Sequence, residues 1–148
     1  MAAIIRDSID ELRDAADKKT VSVLFDATGQ ERMVLGDRDM LKEVFVNLIS
    51  NGIKYNRSGG KITVSLAEKE DVLVVDVSDT GVGIAEEDIP RVGEDFYRVK
   101  REGTAPGIGI GLAIVRKILD MHEGVLNIES KLNKGSKFSV FLPRIKKE

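Results

Sequence analysis

An aspartate followed by two closely spaced glycines is the most informative pattern in this sequence. It reads Asp79-Thr80-Gly81-Val82-Gly83-Ile84 and follows an apolar stretch with the character of a β-strand. A carboxylate at the end of a buried strand can accept a hydrogen bond from a ligand amine. The glycines would let the backbone approach that ligand closely. Many strand ends share this pattern, so two further segments decide its interpretation.

The second segment is a polar face on a predicted helix, formed by Asn47, Asn51 and Lys54. Asn47 and Asn51 are one helical turn apart, and Lys54 follows one turn later, so the three side chains face the same way. Amide oxygens are suitable ligands for a hard cation, and lysine supplies a mobile positive charge. The three residues could hold Mg²⁺ and the phosphates attached to it. A solvated polar helix face is the open alternative.

The third segment is glycine-rich and opens a helix predicted over residues 111–121. Gly107, Gly109 and Gly111 alternate with apolar residues, and free N–H groups at a helix N-terminus attract phosphate. No Gly-Lys-Ser/Thr follows, which excludes a Walker loop. The glycine spacing and the lack of a preceding apolar strand exclude the dinucleotide-binding fingerprint. By itself the segment is equally compatible with a flexible loop leading into a helix.

The composition is that of one globular domain covering residues 1–148. The chain has 42% hydrophobic and 32% charged residues, a net charge of -2 and no cysteine. These values do not favour binding to nucleic acid or to an anionic membrane, and they exclude disulfide and thiolate chemistry. No apolar stretch reaches the roughly 18 residues of a membrane span. We therefore expect a cytoplasmic domain without direct membrane contact. Because the chain begins inside a helical pattern, we interpret it as excised from a longer protein.

Hydrophobic spacing predicts an α+β fold in two layers. Helices are expected at 3–18, after an N-cap at Asp37, and at 111–121. Strands are expected near 21–25, 33–35, 62–66, 73–77, 126–128 and 138–142, with the third and fourth forming a hairpin. An irregular stretch from about 85 to 109 has the length of a lid or binding loop.

Taken together, the three segments resemble the ATP-binding catalytic domain of two-component sensor histidine kinases, within the GHKL superfamily. The stretch from Asn47 to Tyr55 resembles the asparagine box of that family, and the stretch from Asp79 to Ile84 resembles its first glycine box. The remaining matches are Phe96-Tyr97-Arg98-Val99 with the phenylalanine box and 107–113 with the second glycine box. The opening helix and the segments 124–128 and 135–143 fit as well, so the resemblance covers essentially the whole chain.

The resemblance implies a Bergerat-type ATP-binding fold, a two-layer α/β sandwich whose mixed sheet is covered on one face by about three helices. Asp79 would accept a hydrogen bond from the adenine amine, with Gly83 close to the base. Asn47 would bind Mg²⁺, and Asn47, Lys54 and Arg98 would be the catalytic residues. Residues 100–109 would form the ATP lid.

The other ATP contacts are also implied by the resemblance. Asn51, Lys54 and Tyr55 would contact the phosphates or the ribose, and Arg98 would reach the γ-phosphate. Gly109 and Gly111 would offer backbone N–H groups to the phosphate chain. The remaining residues of the implied nucleotide site are Gly81, Ile84, Tyr97, Gly107 and Leu112.

The activity implied is transfer of the γ-phosphoryl group of ATP, with Mg²⁺, to a histidine on a separate dimerisation domain of the parent kinase. A response regulator would act downstream, and the parent kinase could be membrane-anchored. Gly93 stands where the family usually has an aromatic residue, and Ile108 stands where it often has threonine. These departures leave open a second function, a nucleotide-binding or pseudokinase module that does not transfer phosphate.

Two other enzyme classes are less compatible with the sequence. Retroviral-type aspartic proteases also use Asp-Thr-Gly, but Val82 is not the small residue expected there, and the asparagine helix would be unexplained. GHKL ATPases of the gyrase and chaperone type carry a glutamate general base where this chain has Asn47. Asparagine cannot take up a proton near neutral pH. Asn47 therefore favours the histidine-kinase branch.

His122 is the only histidine, and we do not interpret it as the phosphoacceptor. An acceptor histidine of this family lies inside a long dimerisation helix. Here Gly124 follows almost at once and is expected to end the helix. A histidine in a last helical turn is explained by packing and by a favourable interaction with the helix dipole.

Overall fold

The computed structural model describes residues 1–27, 33–92 and 108–145. Three α-helices lie in this part of the chain: α1 (Ala2–Lys19), α2 (Arg38–Lys54) and α3 (Ile108–Met121). The strands are β1 (Ser22–Ala27), β2 (Lys61–Lys69), β3 (Val72–Asp79), β4 (Val125–Lys131) and β5 (Gly135–Pro143). A short 3₁₀ helix spans Ile89–Arg91. None of the described helices is long and apolar enough to span a membrane.

The five strands form one mixed sheet in the order β1-β2-β3-β5-β4. β1 pairs with β2 in parallel, and all other pairs are antiparallel. A parallel pair needs a crossover connection, and α2 lies within the connection from β1 to β2. β3 is the central strand, so its last residue, Asp79, lies at one end of the middle of the sheet.

One face of the sheet is covered by the helices. Successive side chains of a strand point to opposite faces, and on β2 the buried side chains alternate and include Ile62 and Val64. On β3 the core residues include Leu73 and Val75, and Val74 between them is also buried but is not part of the same core cluster. The helices contribute side chains to the same core, including Ile5, Phe45, Leu48, Val115 and Leu119. These observations confirm the predicted α+β sandwich with a mixed sheet covered on one face.

Most predicted elements occur at the expected places. The Asp37 side chain caps α2 by accepting a hydrogen bond from the Met40 N–H at 2.9 Å. β2 and β3 form the predicted hairpin, whose turn includes Glu70 in a left-handed conformation with a φ of 51°. Helix α3 begins at Ile108, three residues earlier than predicted. Residues 108 and 109, which were expected to end the lid, therefore belong to its first turn.

The strand predicted at 33–35 is wrong. These residues are outside regular secondary structure, and the side chains of Met33 and Leu35 are 70% and 85% exposed. Three consecutive apolar residues indicated a strand here, but a strand also needs a neighbouring strand to pair with. Among the residues that the structure describes, the segment has one backbone hydrogen bond outside helices and strands, from the Ile145 N–H to the Met33 carbonyl oxygen at 3.5 Å.

Candidate functional site

A cleft between α2, α3 and the ends of β3 and β5 brings together residues that are far apart in the sequence. Its free space is about 330 Å³, part of it open to solvent. Six of its eight lining residues were predicted to contact ATP. The lining consists of Asn51, Tyr55, Asp79, Gly83, Ile84, Leu112, Ser136 and Phe138.

Asp79 supplies the carboxylate of this cleft. It is the last residue of β3 and lies opposite Ser136 of β5 in the strand register. Burial raises the pKa of Asp79 from its ordinary value of 3.8 to about 6, although hydrogen bonds from the backbone N–H groups of Gly81 and Ser136 oppose the rise. The Gly81 N–H donates to Oδ1 at 2.9 Å. Asp79 is therefore mainly ionised at neutral pH. Its partial burial strengthens any hydrogen bond that a ligand donates to it, because the local dielectric is lower than that of water.

Packing requires both glycines after Asp79. A Cβ on Gly81 would overlap the carbonyl oxygen of Tyr55, at the C-terminal end of α2. Gly83 has a φ of +72°, and a Cβ there would overlap the carbonyl oxygen of Lys131 at the end of β4. The turn is thus held between α2 and β4, which fixes its position beside the cleft. Gly81 contacts Asp79 through its N–H but does not line the cleft itself.

A hydrogen-bond network at Asn56 ties the end of α2 to the same turn. Asn56 is 5% exposed and donates from Nδ2 to the Lys61 carbonyl oxygen at 3.2 Å. Its Oδ1 accepts from the Thr80 hydroxyl at 3.3 Å, and that hydroxyl accepts from the Lys61 N–H at 2.9 Å. Buried polar groups that are mutually satisfied hold a single arrangement. Asn56 and Thr80 therefore help to fix the position of Asp79 at the end of β3.

Two serines support the opposite wall of the cleft. The Ile84 N–H donates to the Ser130 hydroxyl at 2.7 Å, and the hydroxyls of Ser130 and Ser136 are 2.7 Å apart. Ser136 and Phe138 both line the cleft, although neither was predicted to be a site residue. The only signal for Ser136 was its place in the segment 135–143, because its position beside Asp79 depends on strand register.

Asn47 faces the beginning of α3. Its Nδ2 donates to the Glu43 carbonyl oxygen at 2.8 Å, and a Cβ on Gly111 would lie 2.9 Å from its Oδ1. Since α3 begins at Ile108, the N–H groups of its first three residues, including Gly109, lack an acceptor within the helix. The Asn47 amide oxygen therefore lies near the N-terminus of α3. The oxygen can bind a cation, and the positive end of the helix dipole favours the phosphate that accompanies the cation.

Of the other predicted site residues, some line the cleft, one lies away from it, and some are outside the described part of the chain. Asn51 lines the cleft, and its Nδ2 is buried without a hydrogen-bond partner in the described structure. Lys54 is exposed at the end of α2, where its carbonyl oxygen accepts from the Lys19 ammonium group, and it does not line the cleft. Tyr97, Arg98 and Gly107 lie outside the described residues, as do Gly93 and the lid residues 100–107.

His122 has a structural position. Its Nε2 accepts from the Asp37 N–H at 2.9 Å, and its Nδ1 is 2.7 Å from the Ile118 carbonyl oxygen. Because a backbone N–H can only donate, Nε2 carries no proton and Nδ1 donates to Ile118. The ring also packs so closely on Gly36 that a Cβ there would overlap it. Neither nitrogen is free to take a phosphoryl group in this arrangement.

Comparison with known proteins identifies the family. The family model described as "Histidine kinase-, DNA gyrase B-, and HSP90-like ATPase" matches residues 36–146. The chain belongs to this family. The matched range includes Asn47, Asp79 and the start of α3, so the cleft described above lies inside the shared domain.

Two relatives of this ATPase domain are named as a sensory kinase and a sporulation kinase. The chain is 36% identical over 144 residues to the adaptive-response sensory kinase SasA of Rippkaea orientalis, covering 97% of this chain and 37% of that protein. It is 43% identical over 111 residues to sporulation kinase C of Bacillus subtilis, covering 75% of this chain and 25% of that protein. The chain thus spans less than half the length of these relatives.

Solved structures agree on the fold. The catalytic domain of histidine kinase ThkA superposes with a TM-score of 0.85 at 28% identity, covering 97% of this chain and 92% of that one. ThkA has also been solved in complex with the response regulator protein TrrA, and that structure matches with a TM-score of 0.82 at 25% identity, covering 98% of this chain and 40% of that one.

Proposed function

We propose that this ATPase-family domain binds Mg-ATP and donates the γ-phosphoryl group to a histidine on a separate dimerisation domain of a longer sensor kinase. The proposal rests on family membership, on relatives named as sensory and sporulation kinases, and on the geometry of the cleft. The observation that carries it is the partly buried Asp79 carboxylate, which lines a cleft together with Asn51 and Leu112 of α3.

The adenine end of the nucleotide is assigned to Asp79. An ionised carboxylate can accept from the adenine amine, whereas guanine presents a carbonyl oxygen at that position and would be repelled. The neighbouring Ile84, Leu112 and Phe138 supply apolar walls for a flat base. We propose that Gly83 and Gly81 contribute through the closeness and shape of the backbone at this turn.

The phosphate end is assigned to the junction of α2 and α3. Asn47 would hold Mg²⁺ through Oδ1, since its Nδ2 is already committed to Glu43; an oxygen ligand of this kind suits a hard cation. When bound, Mg²⁺ would neutralise charge on the phosphates. Gly109 would offer its N–H to phosphate, and the unpartnered Nδ2 of Asn51 would find an acceptor on the nucleotide. Lys54, Tyr55, Tyr97, Arg98, Gly107 and Gly111 are proposed as the remaining contacts.

The nucleophile is proposed to come from outside this chain. Asn47 occupies the place where ATPases of the family carry a glutamate base, and it cannot take a proton from water. Both nitrogens of His122 are engaged within the fold. Phosphoryl transfer depends largely on positioning and charge stabilisation, so the domain can prepare ATP for a histidine that another domain delivers.

The partners follow from this assignment. The acceptor would be the histidine-bearing dimerisation domain of the parent kinase, and a response regulator would receive the phosphoryl group downstream. The complex of ThkA with the response regulator TrrA supports the second partner by analogy. Because ATP is the donor, we expect the domain to work in the cytoplasm.

Mixing this chain with its separately produced acceptor domain, Mg²⁺ and labelled ATP tests the proposal. We expect acid-labile phosphate on the acceptor histidine only when both proteins are present. Asp79→Ala serves as a binding-deficient control. Nucleotide binding without transfer would favour the pseudokinase function, and absence of binding would overturn the proposal.

A further inference from the structure

We infer that the missing side chain at Gly111 sets the direction of the Asn47 amide oxygen, which makes Gly111 a positioning residue for the magnesium ligand. This inference rests on the proposed function and adds to it. A Cβ at Gly111 would lie 2.9 Å from Asn47 Oδ1 and 3.7 Å from its Cγ. These are the only heavy atoms of the described structure reported within 4 Å of that Cβ, once its chain neighbours and the backbone of its own helix are set aside.

Asn47 is held from the other side as well. Its Nδ2 donates to the Glu43 carbonyl oxygen at 2.8 Å, one turn earlier in α2. The two substituents of an amide lie in one plane, so anchoring the nitrogen fixes where the oxygen points. The oxygen is directed toward α3, at the spot where a side chain on residue 111 would stand.

Neither helix geometry nor backbone strain explains this glycine. Gly111 lies inside α3, and its φ is not in the left-handed region. Glycine is less favourable than alanine inside a helix. Gly111 is also the fourth residue of α3, where N–H groups begin to find acceptors within the helix. Its backbone is therefore a weaker candidate for phosphate binding than that of Gly109, and the space it leaves for Asn47 becomes the better explanation.

Gly111→Ala should separate folding from metal binding. The obstacle to the added methyl group is the end of a side chain, so the fold can accommodate it if the Asn47 amide rotates. Rotation would turn Oδ1 away or break the bond to Glu43. We expect the midpoint of thermal unfolding to stay the same or rise, because alanine favours the helix, while the metal ligand is displaced.

The measurement is calorimetric titration with ADP, in Mg²⁺ and in EDTA. In the wild type we expect Mg²⁺ to increase the affinity for ADP. In Gly111→Ala we expect that increase to shrink by roughly ten- to a hundred-fold, the range typical for losing support of a metal ligand. Alanine keeps the backbone N–H that Gly111 would offer to phosphate, so the affinity in EDTA should change much less than the affinity in Mg²⁺. Gly111→Ser carries the same Cβ and should behave in the same way.

Gly52→Ala is the matched control. Its Cβ would contact the Ile62 side chain at 3.0 Å and Asp79 Cβ at 3.6 Å, on the adenine side of the cleft. Any effect of this methyl group should be equal in Mg²⁺ and in EDTA. A double-mutant cycle with Asn47→Ala then tests the route of the effect. Once the amide is absent, Gly111→Ala should no longer change the response to Mg²⁺.

The outcomes distinguish this inference from the proposed function. A wild-type chain that binds no ADP would overturn both. A wild-type chain with a clear Mg²⁺ response that Gly111→Ala retains would overturn only the inference, as would a Gly111→Ala effect that persists unchanged in the Asn47→Ala background. Loss of the Mg²⁺ response that disappears in that background would support it.

Discussion

Asp79 is expected to make the free domain less stable at neutral pH in return for nucleotide binding. The pKa of its carboxyl group is about 6 in the folded chain, against an ordinary value of 3.8, chiefly because the group is buried. Between those values the folded state holds a proton that the unfolded state has lost. The protonated carboxyl group therefore contributes its full share to the free energy of unfolding below about pH 4, and this contribution is lost as the pH rises through about 6.

The size of the effect follows from the two pKa values. One pH unit corresponds to about 1.4 kcal/mol, so the difference between 3.8 and about 6 corresponds to ~3 kcal/mol at most. Asp79 is only partly buried, and solvent reduces such energies. We therefore expect the ionised carboxylate to lower the free energy of unfolding by ~1–3 kcal/mol near neutral pH.

Asp79→Asn removes the charge while keeping an oxygen that can accept from the Gly81 N–H. In urea unfolding near pH 7, we expect the variant to be more stable than the wild type by ~1–3 kcal/mol. The difference should shrink as the pH is lowered from about 6 to about 4. Other carboxyl groups titrate in both proteins, so the difference between the two curves isolates Asp79.

The same substitution should weaken nucleotide binding. A hydrogen bond to a charged group contributes about 1.5–3 kcal/mol, or roughly ten- to a hundred-fold in affinity. Calorimetry with ATP and GTP on both proteins measures this loss, and the wild type alone should prefer ATP. In the wild type, ATP affinity should also fall as the pH drops below about 6, because the protonated carboxyl group is a poorer acceptor. Equal stabilities and equal affinities for all four combinations would refute the reasoning.

Three further substitutions test individual contacts. His122→Ala removes the acceptor of the exposed Asp37 N–H, so the free energy of unfolding should fall by about 0.5–1.5 kcal/mol. Phosphoryl transfer to a separate acceptor domain should continue, and loss of transfer in folded protein would contradict the structural role. Gly83→Ala combines an unfavourable left-handed φ, about 1–2 kcal/mol, with overlap on Lys131, and urea unfolding should show a loss of that size or more. Ser130→Ala should lower stability by about 1–3 kcal/mol and also weaken ATP binding; wild-type behaviour in both assays would contradict its proposed support of the cleft.

Local sequence patterns were sufficient for most of the fold. The periodicity of α1, the cap at Asp37 and the alternation in β2 and β3 depend on neighbours within a few residues, and all are confirmed. The segment 33–35 is a short apolar run that was also predicted to be a strand, and it forms none. A strand requires a partner edge as well as a pattern, and nothing within three residues of sequence specifies that edge.

The sequence by itself determined the family, because the order and spacing of the asparagine helix, the Asp79 turn and the glycine-rich helix start are properties of the chain. Only the tertiary structure decided how these groups act on one another. Strand register places Ser136 beside Asp79, and burial moves the pKa of that carboxyl group. The packing of α3 on α2 brings Gly111 to Asn47. Desolvation, hydrogen-bond partners and close contacts arise between segments far apart in the chain, so they exist only after the chain has folded.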